Sequence, residues 1–372
     1  MNATVKAGDL AKELGRVLRV IERKGTLPAL QYVLAEGEGN GIKLTGTDLD
    51  VVLRGNCEAA GLATGKLLLP AQQLHDVMRT FAADAAVELK LGKDGAVKVS
   101  SGAYKGKLRS LDASEFPEMP EPPKDGLIAR VASESLLSLV QRTQYALGSS
   151  DGPQGVAISC GRMLVSGKAK TMQMTACDGF RLSQSTTACA PGDGDAQVEI
   201  PGKAMRELRG FLDEDAEVEV RVTDDHIFFT AGNRQLITRR IDGKYPPVDR
   251  IIPKGYPITF TIGRVGLAEA LRRVALVDTS EARSVKGALG ENGQLTLAAI
   301  GEMTGEAAEN VPTDYKGDAS TFKCQQRFLT DFLDNVPCDQ VEVKLKGGDN
   351  NLAAVVLTAI GPDAFAVVMT MK

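Results

Sequence analysis

Hydrophobic positions along the chain switch between two periods. Over Ala7–Arg23, residues Leu10, Leu14, Val17, Leu18 and Ile21 recur at i, i+4, i+7, i+8 and i+11, one face of a helix. From Tyr32 the pattern shortens to alternating or wholly apolar runs. These predict strands at Tyr32–Glu36, Ile42–Thr45, Val51–Asn56 and Lys66–Leu69. A second helix-period stretch, Ala71–Phe81, precedes strand-like segments at Val87–Leu91, Ala96–Ser100 and Tyr104–Leu108. The same order then restarts twice, with first helices at Ser133–Leu147 and Arg264–Val277 and a last strand at Ala364–Met371.

One block makes the repetition explicit. It reads PAQQLHDVMRTFAADAAVELKL at Pro70–Leu91, PGKAMRELRGFLDEDAEVEVRV at Pro201–Val222 and CQQRFLTDFLDNVPCDQVEVKL at Cys324–Leu345. Ungapped superposition aligns Val87 with Val218 and Val341, and Leu74 with Met205 and Phe328. A supersecondary unit recurring at about a third of the chain predicts three domains of roughly 125 residues, near the usual domain size. Pro-rich stretches at Glu115–Pro122 and at Lys244–Pro253 mark the boundaries. The expected domains are 1–123, 127–253 and 254–372. Strands outnumber helices in each, and two helices packed on antiparallel sheet give an α+β class.

Composition narrows the chemistry. At 43% hydrophobic and 25% charged residues the chain is globular, and the absence of Trp points to aliphatic cores. No apolar run approaches the roughly 20 residues of a membrane helix, and MNATVKAGDLAKEL lacks the apolar core of a signal peptide. No membrane association is expected, and a cytoplasmic location is. Six cysteines without a C-x-x-C pair, and only His75 and His226, predict free thiols and no metal site. No nucleophile elbow, P-loop or zincin motif is present, so no catalytic residue, enzyme activity or cofactor is expected. Thr47-Asp48 and Cys177-Asp178 end comparable strands, where a carboxylate capping turn N–H groups is the ordinary reading.

Positive charge changes the picture most. Lys12, Arg16, Arg19 and Arg23 fall at i, i+4, i+7 and i+11, opposite the leucines, a row of roughly 16 Å at helical rise. Lys24 follows. Lys203, Arg206 and Arg209 form a second row. Arg264, Arg272 and Arg273 lie on the third unit's first helix, Lys323 and Arg327 open its block helix, and Arg79 and Arg142 complete the set. Helices sharing a basic face in all three units suggest one basic surface on a chain of net charge −4. Without interleaved aromatics, that surface suits duplex phosphates better than stacked single strands.

Several motifs resemble those of the bacterial sliding clamps, the beta subunit family of DNA polymerase III. They are LTGTDLD at Leu44–Asp50, TLPAL around Leu27-Pro28, ACDGFRL at Ala176–Leu182, IDGKYPPVDRIIP at Ile241–Pro253 and VVMTMK at Val367–Lys372. They occur in the family's order along the whole chain. The resemblance implies three tandem clamp folds and a head-to-tail homodimer closed into a ring around double-stranded DNA. It also implies a processivity role, with the polymerase catalytic subunit, the clamp loader and other polymerases and repair proteins as partners. A paralogue serving repair or inhibitor tolerance and a monomeric three-repeat adaptor are the alternatives.

The resemblance also assigns sites. A peptide pocket is expected at Cys177, Gly179, Phe180, Arg181, Leu182, Pro246, Ile251, Val367, Met369, Thr370 and Met371. A dimer edge is expected where Tyr104–Leu108 pairs with the Gln294–Gly305 region of the other subunit. Lys105, Lys107 and Arg109 would meet Glu302, Glu306 and Glu309, with Tyr104, Leu108, Leu276 and Val277 beside them. Phe180 stands where relatives carry His or Tyr, Thr370 where they carry Pro, and Lys24-Gly25 where Arg-Pro is usual. The loop Gly148–Gly155 lacks the aromatic or Arg-Pro character common there. Together these departures imply a divergent lineage or an altered peptide preference.

Overall fold

The computed structural model describes residues 2–371 except 22–26, 39, 62–64, 93–94, 152–154, 213–215, 242–244 and 346–353; the side chains of Glu38 and Val156 are also left aside. Among the described residues there are six α-helices: α1 Ala7–Val17, α2 Ala71–Met78, α3 Ser133–Thr143, α4 Gly202–Phe211, α5 Arg264–Ala275 and α6 Gln326–Asn335. They come as two per repeat, as the periodicity predicts. None is long and apolar enough to cross a membrane.

The block forms strand, helix, turn and strand in all three copies. Gly65–Pro70 leads into α2 and Ala86–Leu91, Ala196–Pro201 into α4 and Glu217–Val222, and Ser320–Gln325 into α6 and Gln340–Leu345. Val87, Val218 and Val341 are fully buried, as are Leu74 and Met205. Phe328 departs from the ungapped alignment. In the third copy the strand runs one residue further, α6 starts one later, and Leu329 fills the position of Leu74. One residue fewer in the following turn restores the register by Val341. Phe328 is left on the helix flank, half-buried.

A strand precedes each first helix, and the sequence reading omits all three: Asn2–Lys6, Leu127–Ala132 and Ile258–Gly263. Each pairs antiparallel with its repeat's block strand, Val5 opposite Val87, Val131 opposite Val218 and Ile262 opposite Val341. Asn2–Lys6 alternates exposed and buried residues over five positions, too short a run to stand out beside a helix. Helix α1 also stops earlier than predicted. Past Val17 the chain tightens into i→i−3 bonds, Arg19 N–H to Arg16 O and Val20 N–H to Val17 O, so Arg19 sits on a turn at the helix end.

The chain divides into two compact units, which do not coincide with the repeats. The first comprises 1–134, 190–194 and 203–240. It holds a nine-stranded antiparallel sheet in which Val51–Glu58 of the first repeat pairs with Arg234–Arg239 of the second. It also holds a four-stranded sheet running from Asn2–Lys6 to Tyr104–Arg109. Between these sheets lies an aliphatic core that includes Leu10, Leu14, Val17, Leu44, Leu74 and Val87. The second unit comprises 135–189, 195–202 and 241–372. Its eight-stranded sheet joins Arg181–Ala188 of the second repeat to Ala364–Met369 of the third. Its four-stranded sheet runs from Gly305–Pro312 to Ser320–Gln325, over a core containing Phe260, Leu271, Phe332 and Val343. All six cysteines are free thiols, five of them buried. Burial pushes Cys57 and Cys324 up to about 12, far from thiolate chemistry.

Candidate nucleic-acid and partner interfaces

Three surfaces carry the residues singled out by sequence. The first is the set of basic helix faces. Lys12, Arg79, Arg206, Arg209 and Lys323 are exposed, and no acidic side chain pairs with them among the described residues. Arg79 directly follows α2, and Lys323, expected to open the third block helix, lies instead on the preceding strand Ser320–Gln325. The other cations are engaged. Arg16 donates to Glu13 at 2.8 Å, and Glu13 also accepts from Arg234 at 2.6 Å. Burying Glu13 in α1 is tolerable because two guanidiniums satisfy it. Arg19 reaches Glu207 on α4 at 2.7 Å and lies against Gly210, where a Cβ would stand 2.3 Å from the guanidinium carbon. Lys203 pairs with the buried Asp48.

The third repeat's helices spend their arginines on that repeat. Arg264 donates to the carbonyls of Cys338, at 2.5 Å, and Leu333, at 2.9 Å, and so caps the end of α6. Arg272 pairs with Asp334, and Arg273 grips Glu309 through two bonds, at 2.9 and 2.6 Å. Arg327 lies 3.4 Å from Asp331. Arg142 is half-buried against Ser185. Arg23 and Lys24 lie outside the described residues.

The second surface is a cleft in the second unit. Cys177, Gly179, Phe180, Arg181, Leu182, Pro246, Ile251, Val367 and Met369 line one cavity of about 80 Å³. Thr370 and Met371, expected with them, do not line it. Sheet register builds the floor, with Leu182 opposite Val367 and Arg181 opposite Val368. A turn builds the rim. Asp178 Oδ1 accepts from the N–H groups of Phe180 and Arg181, each at 2.9 Å, and Gly179 takes the left-handed φ of 92° that this turn requires. Phe180 is thereby held outward, 66% exposed, while its carbonyl accepts from Met369 N–H at 2.9 Å.

Arg181 lines this cleft, but its guanidinium is committed to other partners. Its guanidinium turns inward, donating to Asp178 at 2.9 Å, to Asp331 at 2.6 Å and to the Tyr145 carbonyl, and it lies 4.6 Å over the Phe328 ring. The carboxylate of Asp178 thus acts structurally, as the ordinary reading of Cys177-Asp178 anticipates. Asp48 does the same at Thr47-Asp48, accepting from Asp50 and Val51 N–H at 3.0 and 2.9 Å. Of the loop Gly148–Gly155, residues 152–154 lie outside the described residues.

The third surface consists of two sheet edges. Tyr104–Arg109 ends its sheet without a further partner strand among the described residues, and Tyr104 rests edge-on against Phe81 with ring centroids 5.3 Å apart. In the second unit the strand Gln294–Gly301 is interior, paired on both sides. The edge expected there is therefore corrected to Gly305–Pro312, the outer arm of the same hairpin. Glu302 precedes this arm and Glu306 lies on it, both exposed. Leu276 is 73% exposed, Ile300 74% and Met303 97%. Ile300 and Met303 were missed by sequence reasoning. The signal was present: Leu295, Leu297 and Ala299 point inward, so Ile300 is an apolar residue in the outward phase.

No cluster of metal-ligating side chains occurs among the described residues. The DNA polymerase III beta subunit family matches this chain as three consecutive domains: N-terminal over residues 1–120, central over 130–247 and C-terminal over 249–372. The chain belongs to that family, the bacterial sliding clamps. It is 32% identical to the beta sliding clamp of Pseudomonas aeruginosa, with both proteins covered over their full length, and 28% identical to that of Caulobacter vibrioides, again over both full lengths. A crystal structure of the P. aeruginosa clamp bound to griselimycin superposes with a TM-score of 0.93 at 28% identity, covering 100% of this chain and 99% of that one. A Bacillus subtilis clamp shares the fold with a TM-score of 0.92 at 19% identity. Three tandem clamp domains therefore account for the repeats. Membership makes the chain a processivity factor of DNA polymerase III, a non-catalytic accessory subunit. These relatives do not favour the monomeric adaptor.

Proposed function

We propose that two copies of this chain close head to tail into a ring around double-stranded DNA. The exposed cations of α1 and α4, with Arg79 just after α2 and Lys323 on the strand before α6, face the phosphates, and the cleft around Phe180 holds short peptides of polymerases, the clamp loader and repair proteins. The observation that supports the DNA reading is the set of exposed cations without an acidic partner on or directly after helices of the first two repeats, Lys12, Arg79, Arg206 and Arg209, in a chain that is acidic overall. Such contacts are sequence-independent and allow sliding, because each phosphate is replaced by an equivalent one along the axis. The arginines on the third repeat's helices are already paired with its own carboxylates and carbonyls. The first and second repeats therefore carry most of the electrostatic grip.

Ring closure follows from the sheet edges. Lys105, Lys107 and Arg109 on one edge complement Glu302 and Glu306 on the other, and Leu108, Leu276, Val277, Ile300 and Met303 supply apolar surface. A heterologous contact of this kind forms a closed ring when its rotation completes a circle, and closure removes exposed strand edges. The cleft suits a peptide ligand because its apolar wall is Met-bearing and adaptable. Phe180 at its rim supplies an aromatic face without the hydrogen bond that His or Tyr would offer.

The test is the salt dependence of binding to a short duplex. Each phosphate contact contributes about 0.9 to the log–log slope. Reversing Lys12, Arg206 and Arg209 to Glu is expected to lower the slope by about three. Reversing Arg272 and Arg273 is expected to lower it by less than one. An unchanged slope in the triple variant would refute the assignment of these helix faces to DNA.

A further inference from the structure

The cleft around Phe180 lies where the second repeat's strand Arg181–Ala188 pairs with the third repeat's Ala364–Met369. The first and second repeats meet in the same way within the first unit. There Val52 lies opposite Ile237 as Leu182 lies opposite Val367. One strand further, Phe228 faces Ile237 as Val356 faces Val367. The incoming turns match as well. Asp48 N–H bonds the Val51 carbonyl as Asp178 N–H bonds that of Arg181, and Arg239 N–H bonds the Asp50 carbonyl as Met369 N–H bonds that of Phe180. Pro117 stands at this wall as Pro246 stands at the other.

A groove of about 490 Å³ opens at this second position. Val52, Ile237 and Met119 line its apolar part, with Phe228 buried in the same cluster. The backbone is that of the Phe180 cleft, but the rim chemistry is not. Asp50 replaces Phe180, Arg239 replaces Met369, and His226 replaces Ala354. Glu118 follows Pro117 on the wall, and Asp50, Glu118 and Arg239 are all exposed. Burial lowers the pKa of His226, with Arg239 adding to the effect and Asp225 opposing it. At neutral pH the rim therefore carries two carboxylates against one cation.

We propose that this groove is a second peptide-binding site, taking an extended segment of a partner protein that sets an apolar side chain against Val52, Met119 and Ile237 and a lysine or arginine beside Asp50 and Glu118. The inference rests on the reading of the Phe180 cleft as a peptide site, since the shared backbone is what marks the groove as one. It makes one chain a carrier of two peptides with different charge requirements. Extended peptides suit such sites because alternate side chains enter the pocket while the others meet the rim.

Methionine methyl NMR on the full chain tests both sites in one sample, because Met119 borders the groove and Met369 the cleft. Their signals are assigned with Met119→Leu and Met369→Leu. The probes are a capped heptapeptide with leucine and phenylalanine anchors flanked by lysines, and the same peptide with glutamates. The lysine peptide is expected to shift Met119 with a Kd at least tenfold lower than the glutamate peptide. In the Asp50→Lys, Glu118→Lys double variant that preference should vanish while the Met369 titration stays unchanged. A response at Met369 alone overturns the second site and leaves the cleft reading intact. A response at Met119 alone overturns the cleft reading and supports the groove. Silence at both overturns both. Equal affinity for the two peptides at Met119 overturns the basic-residue requirement. A Met119 shift on raising protein concentration without peptide would make a second copy of the chain the occupant and refute the proposal.

Discussion

At the residue scale, Arg181 shows what a motif alone conveys. The run ACDGFRL places it beside the cleft, and the turn made by Asp178 is readable because its bonds span only two and three residues. The fate of the guanidinium is not readable. Its other partners, Tyr145 and Asp331, lie 36 and 150 positions away. A buried guanidinium held by two half-buried carboxylates and an aromatic face is a structural tie, and removing it empties its site and leaves Asp178 without its cation. Arg181→Ala is expected to cost about 3–5 kcal/mol in urea unfolding, on the scale of broken buried pairs. Arg181→Lys should recover only part of this, because one ammonium cannot reproduce the fork. Full stability in Arg181→Ala would show that the tie is dispensable and return the residue to the list of ligand contacts.

At the scale of elements, helices were legible because their apolar stripes run for three turns, and Leu10, Leu14 and Val17 are indeed fully buried. The strands before the first helices were not, since five or six residues of alternation merge into the helix pattern that follows. Sheet edges were legible only in part. The resemblance placed Tyr104–Leu108 at a dimer edge, and that strand is the outermost of its sheet, but nothing local shows that Gln294–Gly301 is paired on both sides. The corrected edge sharpens the expectation for assembly. Lys105→Glu with Arg109→Glu should weaken the homodimer at least tenfold in sedimentation velocity, because like charges would then face Glu302 and Glu306. Adding Glu302→Lys with Glu306→Lys should restore much of that loss. A second pair of substitutions that merely compounds the first would place the partner of Tyr104–Arg109 elsewhere.

At the scale of the molecule, the threefold block announced three domains without showing how neighbours join. The joining strands come from distant sequence: Arg54 bonds Gln235, 181 positions away. Continuous sheets across each junction explain why the compact units cut through the second repeat. They also explain why two junctions carry related clefts, one apolar at its rim and one charged. The basic faces, by contrast, were overread. Sequence counts cations, but Glu207, Glu309, Asp334 and the carbonyl ends of α6 claim many of them. The cations left unpaired give modest, salt-sensitive contact, so persistence on DNA must come from topology. That is the central claim, and retention after loading on circular and linear duplex tests it most directly. Chain loaded by its clamp loader on a nicked circular plasmid and then gel-filtered should stay with the DNA, and cutting the plasmid once should release it within the time of the run. Equal retention on the circular and the cut template would contradict encirclement.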